Sequence, residues 1–549
     1  MLKGVRVKTL PTGPFLGVNN RLPDFALSVR DKGDWLRDAV NVDIDNAGRV
    51  RRRAAATLVQ AMAGADSLYM TSAAAGYLRR GAAIYAITLP TYSETLFKVL
   101  NADAPLSWTE FNGVLYYSNG TDSGRIEGGA AYPWGLATPS APACTSIAGS
   151  LYAGAYQVGV SYSNNVTGEE GGISASSNPS LSAVGGIRVT LPGASSGATH
   201  VNVYFSTVNG SIPMLVGSYA VGSGVVDIST EPTRLRESNG RFEAPLPAGT
   251  QVFMANGRLC SVSGNRINLG SPARPGYYIP IDGRQRAEGA PMDYGYITFP
   301  ADVDLVVPTQ MGVYVAYGDV TQFFVGTDLA ATELVKDVLP YGAVPGTAFV
   351  VPHRENPLVG WFGARGIVLG DPQGTVKDAM IDNIDLTPPA SGTSAVVQTD
   401  GYKRVVSCGW CLNLESNAAT RYEGWPVTSA ARGYATMPDG LYLLDSTGPV
   451  DAHVDLGKID WGVEEMKAVP ACYLGVSSDT PMELRVTTPT HEDYRYEART
   501  SSTDLRIQRV DPGRGLRANW YALSVYNTEG SEFTLASISF APVVSSRRI

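Results

Sequence analysis

The sequence predicts an all-β protein, a β-propeller body with an inserted fibronectin type III-like β-sandwich. Three observations lead there. Gly numbers 60 and Pro 35 in 549 residues, only 17% of residues are charged, and Tyr (28) is twice as common as Phe (14), a balance that favours many short strands joined by turns. Hairpin-like patterns recur along the chain at similar intervals. One segment of different character interrupts that recurrence.

The same composition limits the function. The 43 basic and 51 acidic residues leave a net charge of -8, which argues against a protein that coats nucleic acid but not against a conduit that must let it slide. Five scattered cysteines make no disulfide framework and point to folding in a reducing compartment. The opening MLKGVRVKTLPTGP has no apolar signal core, and no run approaches the ~18 apolar residues that span a bilayer. Neither secretion nor a membrane anchor is expected.

Taken in order, Val40, Val42 and Ile44 alternate with polar residues, as in a strand with one apolar face. The loop Asn46-Ala47-Gly48 suits a three-residue hairpin with a bulge. It sets Asp45 opposite Arg49 and Asp43 opposite Arg51, so charge and register agree. An Ala-rich passage, 54–86, ends in a short strand around Tyr85. Residues 111–128 read as a hairpin turning at Asn119-Gly120.

Similar hairpins start at Asn256, Met311, Arg365 and Asp439. Their opening glycines, Gly257, Gly312, Gly366 and Gly440, are 55, 54 and 74 residues apart, and the turn glycines Gly264, Gly318 and Gly370 are 54 and 52 apart. One hairpin core per unit of about 50 residues is the pattern of propeller blades, of which about five to seven fit the chain.

Gly113 and Gly257 are 144 residues apart, and removing 139–230 leaves 52. That segment is bracketed by prolines (Pro133, Pro139 and Pro142; Pro232, Pro245 and Pro247). It alternates at Tyr156, Val158, Val160 and Tyr162, at Ile187, Val189 and Leu191, and at Val201, Val203 and Phe205, which suits an inserted sandwich. The domains read as 1–138, an N-terminal hairpin and first blades; 139–230, the insertion; and 231–549, the remaining blades. Leu523 and Val525, the turn Asn527 to Gly530, then Phe533 and Leu535 read as a hairpin of the closing blade. The hairpin at 39–53 is expected to join or abut that last sheet.

Motifs that carry chemistry are few. His200 lies on a strand face opposite Val201 and Val203 and reads as an exposed strand residue. His491-Glu492-Asp493 lacks the second His of a zincin, and neither a nucleophile elbow nor a phosphate loop is present. Cys408-Gly-Trp-Cys411 has no second pair at zinc-ribbon spacing, and residues three apart on a strand point to opposite faces. Asp43-x-Asp45-x-Ala47-Gly48 imitates a calcium loop, but Ala47 and Ala54 replace ligands. Glu169-Glu170 falls in a Gly-rich loop of the insertion, away from where paired glycosidase acids are expected. No catalytic residue, cofactor or metal is expected. Arg49 and Arg51 are covered by pairing with Asp45 and Asp43, which leaves Arg52 and Arg53 as candidate contacts to a neighbouring subunit, an adaptor or a phosphate. Replacing both with Ala is then expected to leave the isolated fold intact.

GVNNRLPDFAL (17–27), DWLRDAVNVDIDNAGRVRRR (34–53) and GRGLRANWYALSVYNTEGSEFTLASISF (513–540) resemble the tail nozzle (tail tubular protein B) and packaged-DNA stabilisation proteins of short-tailed bacteriophages. The resemblance implies a structural virion protein and no enzyme. It implies a propeller body, a homohexameric ring in the virion tail, and attachment to the portal-adaptor ring and to other tail proteins such as fibres or a needle. Genomic double-stranded DNA would be retained and then conducted non-specifically through the channel, and synthesis would take place in the host cytoplasm. The inserted sandwich is where this chain departs from the family pattern. Two rival readings are a receptor-binding or polysaccharide-degrading tail component and a monomeric propeller binding module.

Overall fold

The computed structural model describes residues 11–29, 32–238, 243–272, 274–280, 295–326, 329, 334–351, 357–399, 401–490, 492–513 and 515–544. His491 and most of the N-terminal stretch read for a signal lie outside the described residues. The described residues are strands and turns, with a short 3-10 turn at Asp24–Ala26 and no α-helix. None of their helices is long and apolar enough to cross a membrane. The chain divides into two compact units. One comprises Met1–Val99, Asp319–Thr321 and Val338–Ile549, the other Leu100–Gly318 and Gln322–Asp337.

The repeating element is a four-stranded antiparallel meander. In the second unit one such sheet runs Ser107–Phe111, Val114–Ser118, Ser123–Glu127, Ala130–Tyr132, and another Gln251–Ala255, Arg258–Ser263, Arg266–Leu269, Gly295–Thr298. Strands Val303–Pro308, Gly312–Tyr317, Val320–Val325 and Val335–Leu339 make a further sheet of this kind. In the first unit the strands from Ala65–Met70 to Ser93–Val99 and those from Phe349–Val351 to Val376–Asp378 repeat the pattern. Residues 394–421 supply another set of four strands, within a larger sheet. Turn chemistry sets these boundaries: Asn112-Gly113 and Asn256-Gly257 both have positive φ, the conformation a tight hairpin turn demands.

The hairpin interval is looser than the glycine spacing suggests. Gly257 and Gly312 precede or open second strands of their sheets, whereas Gly366 and Gly440 open third strands. The 74-residue gap contains the whole meander 394–421, whose signal was missed because its turns fall at Gly401 and Cys408-Gly409. The strand Gly440–Ser446 does not form the expected hairpin with a following arm. It pairs with Tyr434–Met437 on one side and with the distant Ala55–Ala61 on the other.

Residues 139–230 contain two larger antiparallel sheets beside the short pair Gly154–Ala155 and Ser180–Leu181. One is formed by Ala143–Leu151, Gly185–Thr190 and Val225–Ile228, the other by Glu169–Glu170, Val158–Asn164, His200–Phe205 and Met214–Ala220. The alternating residues read from the sequence, Tyr156 to Tyr162, Ile187 to Leu191 and Val201 to Phe205, meet in one shared core. Period two selects the apolar face that the sheets share, while the intervening Ser161, Ser163, Asn202 and Tyr204 are buried too, on the other face of the second sheet.

The chain termini come together in the first unit. Val50–Arg52 pairs with Phe533–Phe540 through Val50↔Leu535 and Arg51↔Thr534, so the N-terminal hairpin does join the C-terminal sheet. Pro11–Thr12 adds to the same strand. The C-terminal hairpin is corrected, however. Tyr521–Tyr526 pairs with His453–Ile459 and Glu483–Thr487, whereas Phe533–Phe540 pairs with Cys472–Ser478, so the two arms enter different sheets. Both sheets contribute to one core that includes Val454, Leu474, Val476, Leu523, Val525, Leu535 and Ile538. Burying alternate residues of two facing sheets outweighs the local pairing that the turn alone would favour.

Candidate functional site

The two predicted contact residues sit where the N-terminal arm changes sheets. Asp38–Val40 lies in the sheet of His453–Ile459, Val42–Ile44 in the sheet of Val50–Arg52, and Asn41 between them has φ 55. Asn41 is 8% exposed and its side chain secures the switch. Its amide donates to the Asp451 carbonyl at 2.9 Å, and its oxygen accepts from Arg53 Nε and Glu423 N at 2.9 Å each. Beyond it the hairpin has the expected register, Asp43↔Arg51 and Ile44↔Val50. Gly48 is required in the bulge: its φ is 73, and a Cβ there would meet Pro14 Cβ at 2.5 Å.

The polar face of this arm is not solvated. Asp43 and Asp45 are 4% and 5% exposed, because Arg404, Cys411, Asn413 and Tyr422 close over the strand. Arg404 Nη1 pairs with Asp43 Oδ2, and Arg404 Nη2 donates to Asp445 Oδ1 at 2.8 Å. Tyr422 OH and Cys411 Sγ donate to Asp43 Oδ1 at 2.5 and 3.5 Å. Burial pushes both the Tyr422 hydroxyl and the Cys411 thiol up, so each keeps the proton it donates. A buried carboxylate of this kind persists only with its guanidinium and its further donors in place.

Arg52 and Arg53 are corrected by the same packing. They are 8% and 6% exposed and have partners inside the chain, so they are not side chains left over for a neighbour. Arg52 donates to Glu532 Oε1 at 2.7 Å and to the Gly448 carbonyl. Arg53 donates to Asn41, Ala54 O and Glu423 O, and lies over the Tyr422 and Trp425 rings at 5.2 and 4.8 Å. The more exposed arginines are the two assigned to pairing within the hairpin. Arg49 contacts Asp45 at 2.8 Å as expected, and Arg51 lies 3.6 Å from the same carboxylate. A polar cleft of about 430 Å³ opens beside them, lined by Arg51, Arg52, Tyr402, Arg404, Asp445 and Glu532 among others. With charges of both signs paired along it, its chemistry is that of a clasp between strands far apart in sequence. Arg404, Tyr422 and Asp445 were missed; the one available signal was an arginine inside the apolar strand Tyr402–Ser407.

The other singled-out residues are also engaged. Cys408 sits in a turn with φ 51 and Cys411 in the following strand, and both thiols are free. Asp45 Oδ1 accepts the Ala47 and Arg49 amides at 2.9 Å each, which closes the calcium-loop imitation on its own backbone. His200 is half-buried, its Nδ1 3.0 Å from the Thr199 hydroxyl. Glu169 accepts from Arg125 and Tyr277 at 2.7 and 2.8 Å. Glu170 accepts from Ser161, Asn202 and Arg236 at 2.6, 2.9 and 2.7 Å. Among the described residues no group of three or more His, Cys, Asp or Glu could hold a metal ion.

No family model and no curated protein matches this chain. Among solved structures, a computationally designed protein matches at 8% identity and TM-score 0.32, covering 70% of this chain and 98% of its own. The extracellular domain of a putative one component system from B. thetaiotaomicron matches at 9% and 0.21, covering 91% and 93%. An exo-beta-1,3-galactanase from Phanerochaete chrysosporium with galactose matches at 10% and 0.17, covering 88% and 100%. Likenesses at these TM-scores carry no argument about fold or function.

Proposed function

We propose that this chain is a structural virion protein, a subunit of the tail nozzle of a short-tailed bacteriophage. In this reading the meanders are propeller blades, seven counting 394–421, and Ala55–Ala61 completes the blade of Gly440–Ser446 in the manner of a ring sealed by both ends of its chain. Residues 139–230 are the inserted fibronectin type III-like sandwich. Six copies form a ring beneath the portal adaptor, carry other tail proteins, and retain and then conduct genomic DNA without sequence preference.

One observation carries this reading. Two of the three stretches that bear the resemblance, 34–53 and 513–540, are 460 residues apart yet build one body, joined through Val50↔Leu535. A resemblance split between the two ends of a chain is what a family core assembled from both ends would leave. The function is neither enzymatic nor cofactor-dependent in this reading, and the acids and arginines at that body serve as internal clasps.

The test is the mass of the native protein together with electron microscopy of the isolated particles. Six copies in a ring with an axial channel are expected. A stable monomer would favour a propeller binding module, and a trimer a receptor-binding or polysaccharide-degrading component; either result overturns the nozzle.

A further inference from the structure

A second cleft, in the unit Leu100–Gly318 and Gln322–Asp337, has no part in the reading above. It encloses about 910 Å³, near the top of the range for small-molecule sites. Its walls come from the meander 107–132, the inserted sandwich, and the segment around Tyr277. Tyr132 supplies an aromatic face with the buried Tyr116 and Trp134 packed beneath the lining, and Asn164, Asn165 and Ser218 supply neutral hydrogen-bonding groups.

Charge decides what such a cleft accepts. Each guanidinium along it already has a carboxylate: Arg125 with Glu169 and Arg236 with Glu170, both at 2.7 Å, and Arg274 with Glu243. An anion would have to displace a half-buried or buried carboxylate from its arginine, and a cation drawn to Glu127, which also lines the cleft with its side chain 56% exposed, would lie against Arg125, 3.7 Å away. Neither gains a free partner of opposite charge held away from its own counter-charge. An apolar ligand would desolvate the same polar walls without replacing their bonds to water. The ligand that fits is neutral, rich in hydroxyls and flat on one face.

The walls are also fixed in advance. Glu169 is held between Arg125 and the Tyr277 hydroxyl. Asn164 donates to the Gly197 carbonyl at 2.8 Å and accepts from the Val166 and Thr167 amides. Arg125 lies 5.8 Å from the Tyr132 ring, which is half-buried and keeps surface free. Tyr116 is 5% exposed and lines the cleft, and among the described residues its hydroxyl has no hydrogen-bond partner. Ordered polar groups beside aromatic faces lose little entropy on binding.

We infer that this cleft binds a neutral oligosaccharide without hydrolysing it. The Tyr132 ring stacks on a sugar face while the Tyr116 hydroxyl, the fixed amides and the carboxylates take the hydroxyls. Glu169 and Glu170 are committed to arginines, which leaves Glu127 as the one loosely held carboxylate of the lining, without the second acid that glycoside cleavage requires. The inference is independent of the nozzle proposal and stands or falls without it.

The test uses the full-length protein on an array of neutral, sialylated and sulfated glycans, followed by titration of the strongest neutral binder against wild type, Tyr132→Ala and Tyr116→Phe. Saturable binding to neutral glycans is expected, with the glycan recovered intact. Tyr132→Ala should weaken it by more than tenfold. Tyr116→Phe, which removes only an unpartnered hydroxyl and leaves the melting temperature unchanged, should weaken it by about fivefold, the worth of one hydrogen bond. Binding confined to sialylated or sulfated glycans, no binding to any neutral glycan, or binding that neither variant alters would each overturn the inference. Cleavage of the bound glycan would overturn its non-hydrolytic part.

Discussion

Two arginine–aspartate pairs show how far the same chemistry depends on its surroundings. Arg188 and Asp227 face each other across adjacent strands of the insertion, joined by two bonds of 2.7 Å, with side chains 46% and 42% exposed. Arg404 and Asp43 lie 361 residues apart, with side chains 5% and 4% exposed, and share further bonds with Asp445, Tyr422 and Cys411. Water solvates the members of the first pair whether or not they meet. In the second, each member depends on the others, because nothing else can solvate it.

The comparison breaks first at Arg404. Arg404→Met strands Asp43 and should cost about 3–5 kcal/mol; urea unfolding that keeps the wild-type midpoint would show that the network is dispensable. Arg53→Ala follows. It removes donors to Asn41, Ala54 and Glu423 and the guanidinium stacked on Tyr422 and Trp425, a loss of about 2–4 kcal/mol that thermal melting monitored by circular dichroism can read. An unchanged melt for Arg52→Ala/Arg53→Ala would restore the surface-contact reading that burial argues against.

Glu170 sharpens the comparison through pH. Burial by itself would raise its pKa, but donors from Ser161, Tyr204, Asn202 and Arg236 outweigh it and hold the carboxyl below its ordinary 4.5. A folded pKa below the unfolded one gives stability that is present above about pH 4.5 and is lost as pH falls through the lower folded value. Acid titration of unfolding should show that loss, and Glu170→Gln should flatten it at the expense of stability at neutral pH; equal slopes for the two proteins would assign the acid sensitivity elsewhere. The smallest effect is expected at the exposed pair. Arg188→Ala should leave the melting temperature within experimental scatter, and a clear drop would mean that exposure is a poor guide to these pairs.

Where residues act through neighbours in sequence, the chain was legible. The insertion was read from the period-two runs Tyr156 to Tyr162 and Val201 to Phe205, which became one core. The hairpin of Asp43 and Arg51 was read from Asn46-Ala47-Gly48, since a bulged turn sets register by itself. Even the junction of the two termini could be expected from where they stand relative to the repeats. The same local logic failed at Asn527 to Gly530. A turn flanked by alternating strands reads as a hairpin, yet here it passes the chain from one sheet to another.

The candidate site was legible only as a run of charges. The sequence by itself determined an all-β chain, the strand pattern of its insertion and the turn that orders its N-terminal hairpin, because these follow from alternation and from backbone conformations that Gly and Asn adopt readily. Tertiary structure alone decided that Asp43 faces Arg404, that Arg52 and Arg53 are enclosed, and that Ala55–Ala61 pairs with Gly440–Ser446. The reason is physical. Whether a charge sits in water or among partners depends on which strands the fold lays beside it, and those strands come from the far end of the chain.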